Sequence, residues 1–214
     1  MRVAIAGSGA LGLGIFQAVR ASRHAVVAVV QNARTRPERV RRYWGRTRPR
    51  TLAHEASRMG VPVLWLDRMD EVELEPLRAL APDLLLVAGF SIILNASTLV
   101  LPRIGCVNVH SSLLPKHRGP NPFSAVILSD ERESGVTFHI MEPTIDTGDI
   151  LDQAAFPLAQ NDTMASVYQK ASRLAAKRVL PVLDLIASEG LRGVPQDPAL
   201  ASYDKKLTRD QARI

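Results

Sequence analysis

An open α/β fold with a mostly parallel sheet is the architecture the sequence predicts, and two observations carry that reading. Short apolar runs alternate with helix-spaced segments from residue 1 to about residue 130. Within those runs successive positions are apolar, as in strands covered on both faces by helices. The elements follow in order. Residues 3–6 form a buried strand stopped by Gly7, and Leu11, Ile15, Ala18 and Val19 make one face of a helix over 11–21. Residues 26–30 are a second, β-branched strand. A helix over 51–59 ends at Gly60, and a third strand covers 61–65. Residues 71–80 are helical, 83–88 a strongly apolar fourth strand, and 105–109 a fifth. Pro115, Gly119, Pro120 and Pro122 then force a loop before a short helix over 123–128. From residue 134 the rhythm changes. Strands are expected at 135–141 and 150–157, followed by a long helix over 163–188 that Pro181 should kink.

Composition bounds the function. The chain has 214 residues, 46% hydrophobic and 22% charged, enough for one sizeable core and too few for two full-sized domains. That apolar fraction excludes wholesale disorder. The most apolar stretch, 84–94, is too short to cross a bilayer and lies between Asp83 and Asn95. Met1-Arg2 leads straight into a strand, so no secretory leader is expected. One cysteine, Cys106, and five histidines build neither an internal disulfide nor a zinc framework, and a reducing cytoplasm is the expected compartment. The net charge of +6 is concentrated: residues 34–50 hold eight arginines against Glu38, which leaves the remainder close to neutral. Such a stretch, with Tyr43 and Trp44 inside it, suits a polyanionic partner.

Two motifs compete for the chemistry. Gly7-Ser8-Gly9-Ala10-Leu11-Gly12 matches the dinucleotide fingerprint between a strand and a helix. The second strand ends in Gln31-Asn32, however, with no acid for a ribose hydroxyl; Arg34 and Arg36 leave an NADP-dependent reductase open as a weaker alternative. The denser constellation is Asn108-Val109-His110-Ser111-Ser112-Leu113-Leu114-Pro115, with Arg118-Gly119 after it and Ile145-Asp146-Thr147-Gly148-Asp149 further on. Asn108 and His110 are two apart on a strand and share a face, where an amide and an imidazole offer an oxyanion donor and a proton carrier. A carboxylate at Asp146 could orient the imidazole and raise its pKa.

Those two strings closely resemble the folate-dependent formyltransferases, over nearly the whole chain. Gly135-Val136-Thr137, Arg118-Gly119 and the closing Lys206-Leu207-Thr208 to Ala212-Arg213-Ile214 look most like the branch that acts on methionyl-tRNA. The resemblance implies a Rossmann-like catalytic domain over residues 1–192, with 193–214 similar to a linker toward a further C-terminal domain. It implies transfer of a formyl group from 10-formyltetrahydrofolate to an amine without a metal, with Asn108, His110 and Asp146 catalytic. The donor would lie against Ala88, Gly89, Phe90, Ser91, Ile92 and Leu94. Ser111, Ser112, Leu113, Leu114, Pro115 and Arg118 would face the acceptor, with Arg41, Arg42 and Arg46 of the basic segment meeting tRNA. The alternative acceptor is a small amine: a nucleotide-linked amino sugar, hydroxyornithine or glycinamide ribonucleotide. A binding module without activity is a further alternative. Two departures stand out: Arg118-Gly119-Pro120-Asn121-Pro122 replaces the branch's usual Arg-Gly-Ala-Ala-Pro, and Asn95 stands where a proline is usual.

Overall fold

The computed structural model describes residues 1–36 and 51–205. Strands β1 (Arg2–Gly7), β2 (Ala25–Asn32), β3 (Val63–Leu66), β4 (Leu84–Ala88) and β5 (Gly105–His110) run parallel. Strands β6 (Glu133–Ile140) and β7 (Ile150–Pro157) continue the sheet antiparallel. The order is β3-β2-β1-β4-β5-β6-β7, so the strand order reverses between β1 and β4, where open α/β sheets place ligands. The helices are α1 (Gly9–Arg20), α2 (Leu52–Arg58), α3 (Glu71–Ala79), α4 (Ala96–Leu99), α5 (Pro122–Leu128) and α6 (Met164–Glu189).

Strand alternation builds two cores. Val3 and Ile5 of β1 face one layer, packing with Phe16 of α1, Leu52 of α2 and Leu183 of α6. Ala4 and Ala6 face the other, with Leu74 and Leu77 of α3. Every residue of β4 is buried, as a central strand covered on both sides requires. Cys106 is buried in this second layer, and burial pushes its thiol up to about 12. Among the described residues no helix is long and apolar enough to cross a membrane.

The departures from the expected elements have local causes. The third strand starts at Val63 rather than 61, because the Val61 N–H closes the end of α2 by donating to Ala56 O (2.9 Å). Helix α4 was not expected. Asn95 starts it: its side-chain oxygen accepts from Thr98 N (2.9 Å) while its amide donates to Met69 O (2.8 Å). Helix α6 runs unbroken through Pro181, opened by a reciprocal Thr163–Ser166 capping box. The segment from residue 193, expected as an exit, lies back across the domain in its described part. Ile150 and Val194 exchange backbone hydrogen bonds of 2.9 Å each, and Asp204 N donates to Arg118 O (2.8 Å). Gly193 permits this approach, since a Cβ there would sit 2.5 Å from Asp149 Cβ. Arg41, Arg42, Arg46 and the closing 206–214 lie outside the described residues.

Candidate active site

β5 delivers Asn108 and His110 to the edge of the sheet, and antiparallel β6 sets His139 directly opposite Asn108. The β6–β7 connection carries Asp146 back over this pair. The Asp146 backbone is left-handed (φ 55°), and a Cβ at Gly148 would lie 1.9 Å from Ile140 O, so the loop is pressed against the end of β6. Four polar side chains thus meet.

Their hydrogen bonds fix which protons sit where. His110 Nε2 lies 2.8 Å from His117 O; a carbonyl can only accept, so this nitrogen carries the proton. In the neutral ring the Nδ1 lone pair therefore faces Asp146 Oδ2, 3.6 Å away. That oxygen accepts from Gly119 N (2.8 Å), and Asp146 Oδ1 accepts from Asn108 Nδ2 (3.3 Å). His139 Nδ1 donates to Ile140 O (2.9 Å), which leaves its Nε2 to accept from Asn108 Nδ2 at 3.1 Å. His139 Nε2 also lies 3.5 Å from Asp146 Oδ1.

Electrostatics separate the two titrating partners. Burial works against ionised Asp146, yet in the acid range, where a protonated His139 ring can donate to it and a protonated His110 ring carries positive charge, these imidazoles and the Gly119 N–H hold its carboxyl down at about 2. For His110 the balance tips the other way. Burial lowers its pKa and outweighs the Asp146 charge and the His117 carbonyl, which both raise it. Asp146 raises the His110 pKa as expected, but burial more than offsets it, so near neutrality the site pairs a neutral base with a fixed anion.

The remaining expected residues divide. Val87 neighbours Asn108 across the β4–β5 pairing, so after Ala88 closes β4, residues 89–94 leave the sheet at that end. Ala88 and Leu94 are buried, Phe90 and Ile92 pack partly against the core, and Ile93 is 76% exposed. Ser91 Oγ accepts from Asn32 Nδ2 (2.8 Å), and Gly89 O accepts from Ser8 Oγ (2.5 Å), which anchors this apolar loop at two points. Ser111, Ser112 and Leu114 were expected toward the acceptor; they are buried. Ser112 Oγ donates to Lys116 O (2.8 Å), and Leu114 N donates to Thr137 Oγ1 (3.1 Å). Leu113 packs against Gly135, and Pro115 O accepts from Ser202 N (3.2 Å). The guanidinium of Arg118 donates to Gln196 Oε1 from Nε (3.2 Å) and Nη2 (2.7 Å). Ser112, Leu114, Pro115 and Arg118 thus spend these polar groups on protein partners, around the turn that presents the His117 carbonyl. His139 escaped the sequence reading, although the alternation of Val136 and Phe138 into the core puts Thr137 and His139 on the face of Asn108 and His110.

The glycine fingerprint has internal partners. Leu11 N, at the start of α1, donates to Tyr168 Oη (3.2 Å), and a Cβ on Gly9 would lie 2.1 Å from that hydroxyl. A Cβ on Gly7 would come within 2.5 Å of Ala88 O. Gln31, where a dinucleotide site would carry an acid, donates to Gly7 O. Arg34 Nε pairs with Asp67 (2.8 Å) and Arg36 lies over the Trp65 ring (5.6 Å). The glycines serve the close approach of β1, α1 and β4.

Known proteins match this picture. The family described as formyl transferase matches residues 1–183. A methionyl-tRNA formyltransferase of Acidithiobacillus ferrooxidans is 42% identical over 161 residues, which cover 75% of this chain and 51% of that protein. This chain thus spans about half the length of that relative. One from Legionella pneumophila is 34% identical over 215 residues, covering 100% of this chain and 67% of its own. Among solved structures, glycinamide ribonucleotide transformylase 1 from Symbiobacterium toebii superposes with a TM-score of 0.72 at 23% identity, over 92% of this chain and 94% of that one. The likeness read from residues 108–115 and 145–149 is borne out: this chain belongs to the formyl transferase family.

Proposed function

We propose that this chain transfers a formyl group from 10-formyltetrahydrofolate to the amino group of methionyl-tRNA. The observation that supports it most is the meeting of Asn108, His110 and Asp146 at one sheet edge, with a neutral imidazole and an ionised carboxylate side by side. Residues 88–94 offer the donor's flat ring an apolar strip beside Asn108. The donor supplies an electrophilic formyl carbon whose bond to nitrogen breaks as the acceptor amine's bond to carbon forms. His110 Nδ1 accepts the proton of the attacking amine and returns it to the departing folate nitrogen, so the proton count balances. Asp146 stabilises the imidazolium in between. An N–H of Asn108, exchanged from Asp146 or His139, donates to the oxygen of the tetrahedral intermediate.

The relatives named for methionyl-tRNA and the eight arginines of residues 34–50 support this acceptor. A small amine is the second reading, favoured by the extent of the fold match to the transformylase. Incubating the chain with 10-formyltetrahydrofolate and a panel of amines, then reading which gains the formyl mass, decides between them; no product with any amine overturns formyl transfer. For tRNA, binding should weaken steeply with salt, and neutralising Arg41, Arg42, Arg46 and Arg48 should flatten that slope. Salt-independent binding would exclude the tRNA reading.

A further inference from the structure

Both neighbours of the His110 imidazole are themselves held by one run of chain outside the constellation. On the Nδ1 side stands Asp146. Its carbonyl and that of Gly148 accept from Gln196 Nε2, at 3.0 and 2.7 Å. Gln196 Oε1 is in turn fixed by the two donors of Arg118, so the amide bridges the Asp146 loop and the turn after β5. On the Nε2 side stands the His117 carbonyl. His117 N donates to Ser202 Oγ (2.8 Å), and its Nδ1 donates to the Asp204 carboxylate (2.8 Å). Backbone bonds add to this grip: Ser202 N to Pro115 O at 3.2 Å, Arg118 N to Ser202 O at 3.0 Å, and Asp204 N to Arg118 O at 2.8 Å.

The residues so held need holding. Asp146 (φ 55°) and His117 (φ 59°) both have left-handed backbones, which residues other than glycine adopt at a cost. Such conformations persist where surrounding contacts over-determine them. Beside the bonds from Gly119 and Asn108 to Asp146, such contacts come from residues 194–204, a segment whose proline content and distance from the motifs gave no sign of a role at the site.

We infer that residues 194–204 form a positioning strap, in which Gln196 fixes Asp146 while Ser202 and Asp204 fix His117, so that one segment sets both partners of His110. Gln196 is a positioning residue acting through Asp146, and Ser202 is one acting through His117. The groups facing His110 are Asp146 from the β6–β7 loop, His139 from β6 and His117 from the turn after β5. The Asp146 charge and the His117 carbonyl favour the imidazolium, so loosening either lowers the pH at which His110 titrates.

The test reads that titration directly, by NMR of the His110 ring nitrogens in the free protein, alongside melting temperature and turnover. Only the turnover arm rests on the formyl-transfer reading; an inactive wild type overturns that reading and leaves the NMR arm intact. Gln196→Ala and Gln196→Met should both lower the His110 titration. Neither adds charge near the imidazole, and the methionine keeps the side chain's bulk while removing the donor to the two carbonyls, so it separates the hold on Asp146 from mere packing of the strap. With an active wild type, kcat should fall about 10- to 100-fold while KM for the folate donor stays unchanged, and the acid limb of the pH profile should move with the titration. Ser202→Ala should shift the titration in the same direction and Ser202→Thr should restore it, which decides the matter if the Gln196 variants do not fold. A His110 titration equal to wild type in the folded Gln196 variants, or in Ser202→Ala, overturns the strap.

Discussion

Strands β1 and β5 end at the same edge of one sheet, each followed by a turn whose sequence advertises a site, and the structure treats them in opposite ways. After β1 the turn's polar groups find partners within the fold: Tyr168 meets the Leu11 N–H, Ser8 meets Gly89 O, and Gln31 meets Gly7 O. After β5 the side chains are aimed at one another across a gap, and the shortest distance between His110 Nδ1 and Asp146 is 3.6 Å, too long for a direct hydrogen bond. The first arrangement is complete as it stands. The second has a lone pair and a charge awaiting a proton, which is what a transfer reaction brings. A glycine pattern reports tight backbone approach; it takes unanswered titratable groups to report chemistry.

The contrast predicts that damage after β5 costs turnover and damage after β1 costs stability. His110→Ala should reduce formyl transfer about 10³-fold, with the cooperative melt retained; unchanged turnover would falsify the assignment of the proton carrier. Asn108→Ala should lose about 10²- to 10³-fold in kcat, measured at saturating donor, as expected when an oxyanion donor is removed. Asp146→Asn keeps the backbone and removes the charge. Because that charge raises the His110 pKa against burial, its loss should move the acid limb of the pH–rate profile to lower pH, and a limb that stays put would show that the two groups do not couple. The same substitution has a stability signature. The folded carboxyl is held at about 2, below its value in the unfolded chain, so its contribution is present above about pH 4 and disappears as pH falls toward 2. Wild type should therefore be more stable than Asp146→Asn above about pH 4, with the difference closing in acid titrations followed by circular dichroism. At the other strand end, Tyr168→Phe should cost about 1 kcal/mol in urea unfolding and leave turnover as it was. A turnover loss there would mean that the glycine turn takes part in the reaction after all.

The sheet was legible because its strands are written in residues that report burial directly. Leu84 to Ala88 can hardly be anything but a central strand, and the switch from helix–strand alternation to strand–loop–strand at residue 134 marks the change to antiparallel pairing. Asn108 and His110 were legible because period two places them on one face. His139 was not, since seeing it requires knowing that β6 lies antiparallel beside β5 in the register that sets 139 opposite 108. Helix α4 was hidden by its brevity, since four residues carry no periodicity and its cap, Asn95, reads in the sequence as the end of an apolar run or a replacement for proline. The roles of Gln196, Ser202 and Asp204 are long-range. Gln196 lies 50 residues along the chain from the Asp146 carbonyl it holds, and no local pattern encodes that contact.

The backbone at position 146 dictates how its chemistry can be interrogated. Asparagine and glycine accept a positive φ with little penalty, whereas alanine, valine or leucine there would add a conformational penalty to the loss of charge. An alanine scan would therefore exaggerate the catalytic worth of this carboxylate, and a saturation library sorted for folding alone should return aspartate, asparagine and glycine.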